Sequence, residues 1–144
     1  MGETAVYKEL MMDELKVLED TDHPNIPKVY ALFEDKKNYY IITELVSGGN
    51  MLDKMMKMQK ISETITAKVI KQVLLCLNYM HKKQITHRDI KLENLLCMPQ
   101  DKPTDDLIVK VTDFGFSRYF KEGEEMNLPL GSPLYMSPEI VTKS

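Results

Sequence analysis

From Ser62 to about Lys83 the apolar residues Ile65, Val69, Val73, Leu77 and Met80 recur at steps of three and four. That spacing lays them along one side of an α-helix and demands a core to receive them. It predicts a helix over residues 62–83 with Ser62 or Thr64 as its cap. Beyond it the period is lost, and only a short apolar strand, Leu107 to Val111, stands out from loops. The fold must therefore pack one long helix against a loop-rich surface.

Upstream, Leu10, Met11, Leu15 and Leu18 share a stripe, which predicts a helix from about residue 5 to residue 20. Asp22-His23-Pro24-Asn25 ends it, because proline lacks the donor and disfavours helix in the residue before it. Lys28 to Phe33 and Asn38 to Thr43 read as a hairpin around the polar turn Glu34-Asp35-Lys36-Lys37. After the break Ser47-Gly48-Gly49-Asn50, the residues Met51, Leu52, Met55 and Met56 predict a short helix. Helices and strands thus mix in an α+β chain of 144 residues, the length of one ordinary domain, and its 43% hydrophobic content permits a packed core.

The formal charge of −3 is interspersed along the chain, which argues against a nucleic-acid partner or an anionic membrane surface. No apolar run approaches the roughly 18 residues of a membrane span. Cys76 and Cys97 form no C-x-x-C pair and read as reduced thiols. The expected compartment is the cytoplasm, with the nucleus as the alternative.

The loop-rich half carries the chemistry. His87-Arg88-Asp89-Ile90-Lys91-Leu92-Glu93-Asn94 is followed by Asp113-Phe114-Gly115. Phosphoryl transfer needs a group to orient the attacking hydroxyl, cations to offset phosphate charge, and oxygen ligands for magnesium. Asp89 suits the first role and Lys91 the second; Asn94 and Asp113 suit the third.

Together the two motifs resemble the signature of protein kinases, and a lysine two residues after the aspartate resembles the serine/threonine branch. The resemblance implies a protein-kinase-like fold in truncated form: helix C, hinge strands, catalytic loop and activation segment. Residues 1–46 would be the remnant of the small lobe and hinge, and 47–144 the catalytic face of the large lobe. It also implies ATP and Mg2+ as cofactors and a protein substrate bearing serine or threonine. Within it, Glu14 is similar to the helix-C glutamate near the nucleotide and Thr43 to the gatekeeper, with backbone groups of Glu44 and Val46 for the base and Leu96 beneath it. Glu93 joins this nucleotide-facing set, and its carboxylate is available to a basic substrate residue.

Gly131-Ser132-Pro133-Leu134-Tyr135-Met136-Ser137-Pro138-Glu139 resembles the end of an activation segment, with the Ser132 hydroxyl expected on Asp89 and Lys91. Leu18, Val29, His87 and Phe114 fall where relatives stack a spine. Arg88 usually meets a phosphate, yet between Gly115 and Gly131 only Ser117 and Tyr119 carry hydroxyls, and neither sits at the usual position. A carboxylate of Glu122, Glu124 or Glu125 is therefore expected to meet Arg88. Asn50 and Leu92 depart from the pattern where many relatives carry an acid and a proline.

Asp22-His23-Pro24-Asn25-Ile26 and the lengthened stretch Met98 to Asp106 bring the resemblance nearest to calcium- and calmodulin-regulated kinases. No G-x-G-x-x-G stretch occurs in the sequence. Lys8 cannot replace the usual strand lysine, since it lies about 240° around the same helix from Glu14. The expectation is a partial domain inactive alone. The alternatives are a kinase-like module that docks on a partner kinase or regulatory protein, and a fragment with no independent role.

Overall fold

The computed structural model describes residues 2–36, 38–58, 61–100, 106–126, 128 and 130–142. The Lys8 side chain, Lys37 of the expected hairpin turn, and residues 101–105 of the lengthened stretch lie outside the described residues. Helix α1 (Gly2–Asp20) stops ahead of Pro24, as its sequence demands, and sends Val17 and Leu18 into the core. Strands β1 (Val29–Glu34) and β2 (Tyr39–Thr43) pair antiparallel with Leu32 opposite Ile41 and Phe33 opposite Tyr40. An Asx turn helps close them: the Asn38 N–H donates to Asp35 Oδ1 at 2.7 Å.

Helix α2 (Met51–Lys57) starts on Asn50, whose Oδ1 accepts the Asp53 N–H at 2.8 Å. Helix α3 (Glu63–Lys82) starts on Ser62, not Thr64; Ser62 Oγ accepts the Ile65 N–H at 3.2 Å. Its buried stripe is Ile65, Val69, Val73, Cys76 and Met80. Cys76 takes the inward place the spacing had offered to Leu77, which is only partly buried, because turns of 3.6 residues counted forward from Val69 or back from Met80 both fall nearer position 76. Ile70, Leu74 and Leu75 face outward, each at least half exposed.

Four short strands follow: β3 (Ile85–Thr86), β4 (Leu95–Cys97), β5 (Val109–Val111) and β6 (Arg118–Tyr119). β3 pairs with β6 and β4 with β5, both antiparallel. The last helix, α4 (Pro138–Val141), is a single turn. The apolar strand expected from residue 107 begins at Val109, though Leu107 is buried too.

Among the described residues the outer edge of β5 meets no strand, and its backbone is satisfied by the Gln72 side chain and by the side chain and backbone of Asn25 instead. Gln72 of α3 accepts the Val109 N–H at 3.0 Å and donates to the Leu107 carbonyl at 2.8 Å. The Asn25 side-chain amide donates to the Val109 carbonyl at 2.8 Å, and the Asn25 backbone carbonyl accepts the Val111 N–H at 2.7 Å. Buried backbone groups must be paired, so these two amides complete the sheet's far side. They also lock α3 and the turn after α1 to the strand that leads into Asp113. Among the described residues, no helix is long and apolar enough to cross a membrane.

Candidate active site

The loop between β3 and β4 is held in an unusual backbone path. Arg88 has φ 67° and Asp113 φ 65°, the left-handed region in which a side chain costs about 1–3 kcal/mol. Buried His87 spans the two segments: its Nδ1 accepts the Asp89 N–H at 3.2 Å and its Nε2 bonds the Thr112 carbonyl at 3.1 Å. One acceptor and one donor on the same ring require neutral imidazole, and burial lowers its pKa accordingly. Its ring lies 5.1 Å from that of Phe114. Leu18 shares this core and Val29 packs against it.

Asp89 is 5% exposed and gathers three donors. Lys91 Nζ lies 2.7 Å from its Oδ2, Ser132 Oγ donates to Oδ1 at 2.8 Å, and Asn94 Nδ2 reaches Oδ2 at 3.1 Å. Lys91 also bonds Ser132 Oγ at 2.8 Å, which closes the triangle. Burial alone would push the Asp89 carboxyl up; the hydrogen bonds from Lys91, Ser132 and Asn94 outweigh it and hold the group below its usual range. Asp89 therefore stays an anion and an acceptor.

Glycine makes the closure possible. A Cβ at Gly131, whose φ is 122°, would sit 2.8 Å from the Arg88 carbonyl oxygen, too close for any side chain. Gly131 thus lets the activation segment descend onto the loop and deliver Ser132. A cavity of about 180 Å³ opens there, lined by Asp89, Ile90, Ser132 and Tyr135 among others. Tyr135 donates its hydroxyl to Glu93 Oε2 at 3.3 Å, so the Glu93 carboxylate faces the activation segment and already has one partner.

Asn94 commits its amide nitrogen to Asp89, so its Oδ1 is the atom left for a hard cation. Its backbone carbonyl accepts the Thr112 N–H at 2.9 Å, which anchors Asp113 in the neighbouring position. His87, bonded to the Asp89 N–H and to the Thr112 carbonyl, ties together the two segments that carry Asp89 and Asp113. Asp113 itself is exposed.

Glu14 approaches the same region from α1. A Cβ added at Gly115 would lie 3.4 Å from Asp113 Oδ1 and 3.8 Å from Glu14 Oε2, so both carboxylates lie beside that glycine. Burial, and then the charge of Asp113, raise the Glu14 pKa. A carboxyl whose folded pKa exceeds its ordinary 4.5 destabilises the fold when ionised and stops doing so once protonated. Glu14→Gln is accordingly expected to raise the melting temperature at pH 7, with the gain fading as pH falls to about 4.5. Thermal melts at both pH values check this; equal melting at pH 7 would refute it.

On the hinge side, Gly48 binds the segment after β2 to β4. Its N–H donates to the Cys97 carbonyl at 3.0 Å, the Gly49 carbonyl accepts the Cys97 N–H at 2.8 Å, and a Cβ at Gly48 would lie 2.3 Å from the Cys97 oxygen. This clasp pairs half-buried Leu96 with Asn50 in a single antiparallel bridge, while Thr43 at the end of β2 is exposed. The Glu44 N–H is already spent on the Lys28 carbonyl at 2.7 Å, which leaves its own carbonyl to meet a ligand. Its side chain pairs with Lys110 at 2.9 Å.

The expectation for Arg88 needs correction. Glu124 pairs with Arg118 Nη2 at 3.5 Å, not with Arg88. Arg88 is drawn inward, where its Nε donates to the Phe116 carbonyl at 2.5 Å and its buried Nη2 has no partner. Burial and the adjacent Arg118 lower its pKa. Glu124 of the acidic turn therefore meets the outer arginine of the two.

Sequence reasoning missed Lys110 and Asn25 as site supports. A lysine between two apolar strand residues was the available signal, since a buried cation must find partners.

A carboxylate held by lysine, hydroxyl and amide, tied through His87 to the strained turn that carries a second carboxylate, is chemistry suited to phosphoryl transfer. The chain belongs to the protein kinase domain family, whose pattern matches residues 2–144. It is 37% identical to calcium-dependent protein kinase 4 of Plasmodium berghei over 134 residues, 93% of this chain and 25% of that protein. It is 38% identical to the probable serine/threonine-protein kinase fhkC of Dictyostelium discoideum over 143 residues, 99% of this chain and 23% of the relative. A probable myosin light chain kinase of Dictyostelium discoideum is 35% identical over 94% of this chain and 43% of its own length. The chain thus spans about a quarter of the length of the first two. Family membership implies ATP and magnesium as cofactors.

Proposed function

We propose that these residues carry the catalytic face of an ATP-dependent serine/threonine protein kinase. The single observation behind this reading is the closed network of Asp89, Lys91, Ser132 and Asn94, with bonds of 2.7–3.1 Å. An ionised Asp89 accepts the hydrogen bond of the substrate hydroxyl and orients its oxygen for attack. Lys91 offsets charge at the transferred phosphoryl group. Asn94 Oδ1 and the Asp113 carboxylate are oxygen donors of the kind magnesium takes, and they fit it. When bound, Mg·ATP supplies the phosphoryl group and screens its charge. The backbone groups of Glu44 and Val46, together with Leu96 and Thr43, would hold the base, and Glu14 would serve the phosphate side.

Thermal shift tests the reading. Mg·ATP at about a hundred times its dissociation constant stabilises a single site by about 2.7 kcal/mol, a clear rise in melting temperature. The rise is expected with the parent chain and absent with Asp113→Ala. Radiolabelled phosphate transfer to a mixed serine/threonine peptide, compared between the same two proteins, reports catalysis. Equal shifts in both would sink the assignment of Asp113.

A second reading rests on the outward stripe of Ile70, Leu74 and Leu75 on α3. An apolar face of that kind favours association with a partner protein.

A further inference from the structure

The C-terminal end of α1 is tied down by side chains from two other elements. Tyr119 of β6 donates its hydroxyl to the Asp20 carboxylate. Lys83, just past α3, donates to the Asp20 carbonyl at 2.7 Å, and the Tyr79 hydroxyl of α3 accepts the Asp22 N–H at 2.7 Å. Lys83 stands 5.6 Å from the centre of the Tyr79 ring, and the His23 ring lies 5.1 Å away on that tyrosine.

These ties differ in kind. Lys83 and Tyr79 hold backbone groups, which any residue at 20 or 22 would present. The Tyr119–Asp20 bond needs both side chains, and it joins α1 to the segment that follows Asp113. Burial, and then Asp20, push the Tyr119 hydroxyl up to about 12, so it remains a donor across ordinary pH. The bond has a load to bear. Glu14 lies six residues before Asp20, roughly 9 Å along the helix, and its carboxylate and that of Asp113 lie beside Gly115. Two like charges push α1 away from that segment.

We propose that Tyr119 is a positioning residue: through Asp20 it latches α1 onto the activation segment and holds Glu14 in place against the repulsion of Asp113. The latch extends beyond the motif residues and does not depend on catalysis, so its failure would leave the functional reading intact.

Amide hydrogen exchange on the whole chain tests it. Tyr119→Phe removes one hydroxyl and keeps the ring; Asp20→Ala removes the acceptor; Asp20→Asn keeps an acceptor oxygen. A charge-assisted hydrogen bond is strong enough that its loss should speed exchange about tenfold in residues 10–20, with α3 unchanged. Tyr119→Phe and Asp20→Ala should act alike, their combination should add nothing, and Asp20→Asn should restore most of the protection. Unchanged exchange in α1, additive effects, or acceleration shared equally by α3 would each overturn the proposal.

Discussion

Replacing Asp89 by alanine is expected to cost about 3–4 kcal/mol of folding stability, in the range for removing one member of a buried ion pair. Three donors converge on this carboxylate at 2.7–3.1 Å, and its side chain is 3% exposed. Alanine leaves Lys91, Ser132 and Asn94 facing an apolar methyl. Lys91, with 19% of its side chain in water, can turn outward, which keeps the loss from reaching the top of the range. For a chain of this size the change corresponds to a melting temperature lower by roughly 10 °C. Asp89→Asn keeps the shape and can turn its NH2 toward Ser132 Oγ, but it removes the negative charge that offsets Lys91, so it too should destabilise.

The pH dependence gives the prediction a second edge. The folded Asp89 carboxyl lies below its ordinary 3.8, so its contribution is complete above that value and is lost as pH falls through the folded one. The gap between parent and Asp89→Ala should therefore hold from pH 7 down to about 4 and close only in stronger acid. Glu14→Gln has the opposite sign, because burial and Asp113 raise its group. Urea melts of both variants across this range separate the two carboxylates. Melting of Asp89→Ala within a degree or two of the parent would mean that the network adds no stability.

Local patterns were the legible part of this molecule. The stripe of α3, the stop before Pro24 and the polar turn of the hairpin each depend on residues close in sequence, and each has a periodic or steric signature. Asp89, Lys91 and Asn94 were legible for the same reason, since one short loop carries them. What escaped was held by long-range pairs that leave no such trace. Asn25 reaches Val109 across 84 positions, Tyr119 reaches Asp20 across 99, and Gln72 reaches Val109 across 37. The misreading of Arg88 has a related cause: charge alone could not say which of two adjacent arginines the acidic turn would meet. Backbone geometry decided it, through the positive φ that turns Arg88 inward toward Phe116.

Lys110 is the residue whose loss should best separate hinge support from the catalytic network. It is 9% exposed in the middle of β5, paired with Glu44 at 2.9 Å, and it donates to the carbonyls of Pro24 at 2.9 Å and Ile26 at 3.4 Å. One ammonium thus fastens the hinge and the turn after α1 to the strand that precedes Asp113. Lys110→Met keeps the length of the chain and removes the charge. Glu44 would retain only the Lys28 N–H at 3.1 Å, and two carbonyls would lose a donor. The expected cost is about 3 kcal/mol, at the low end for a broken buried pair because Glu44 keeps 21% of its side chain in water. Adding Glu44→Gln to Lys110→Met should recover part of that loss, since it removes the stranded charge. Lys110 and Glu44 make none of the bonds of the Asp89 network, so combining Lys110→Met with Asp89→Ala should give additive losses in urea melts. A strongly non-additive result would show that hinge and catalytic loop are one energetic unit and not two.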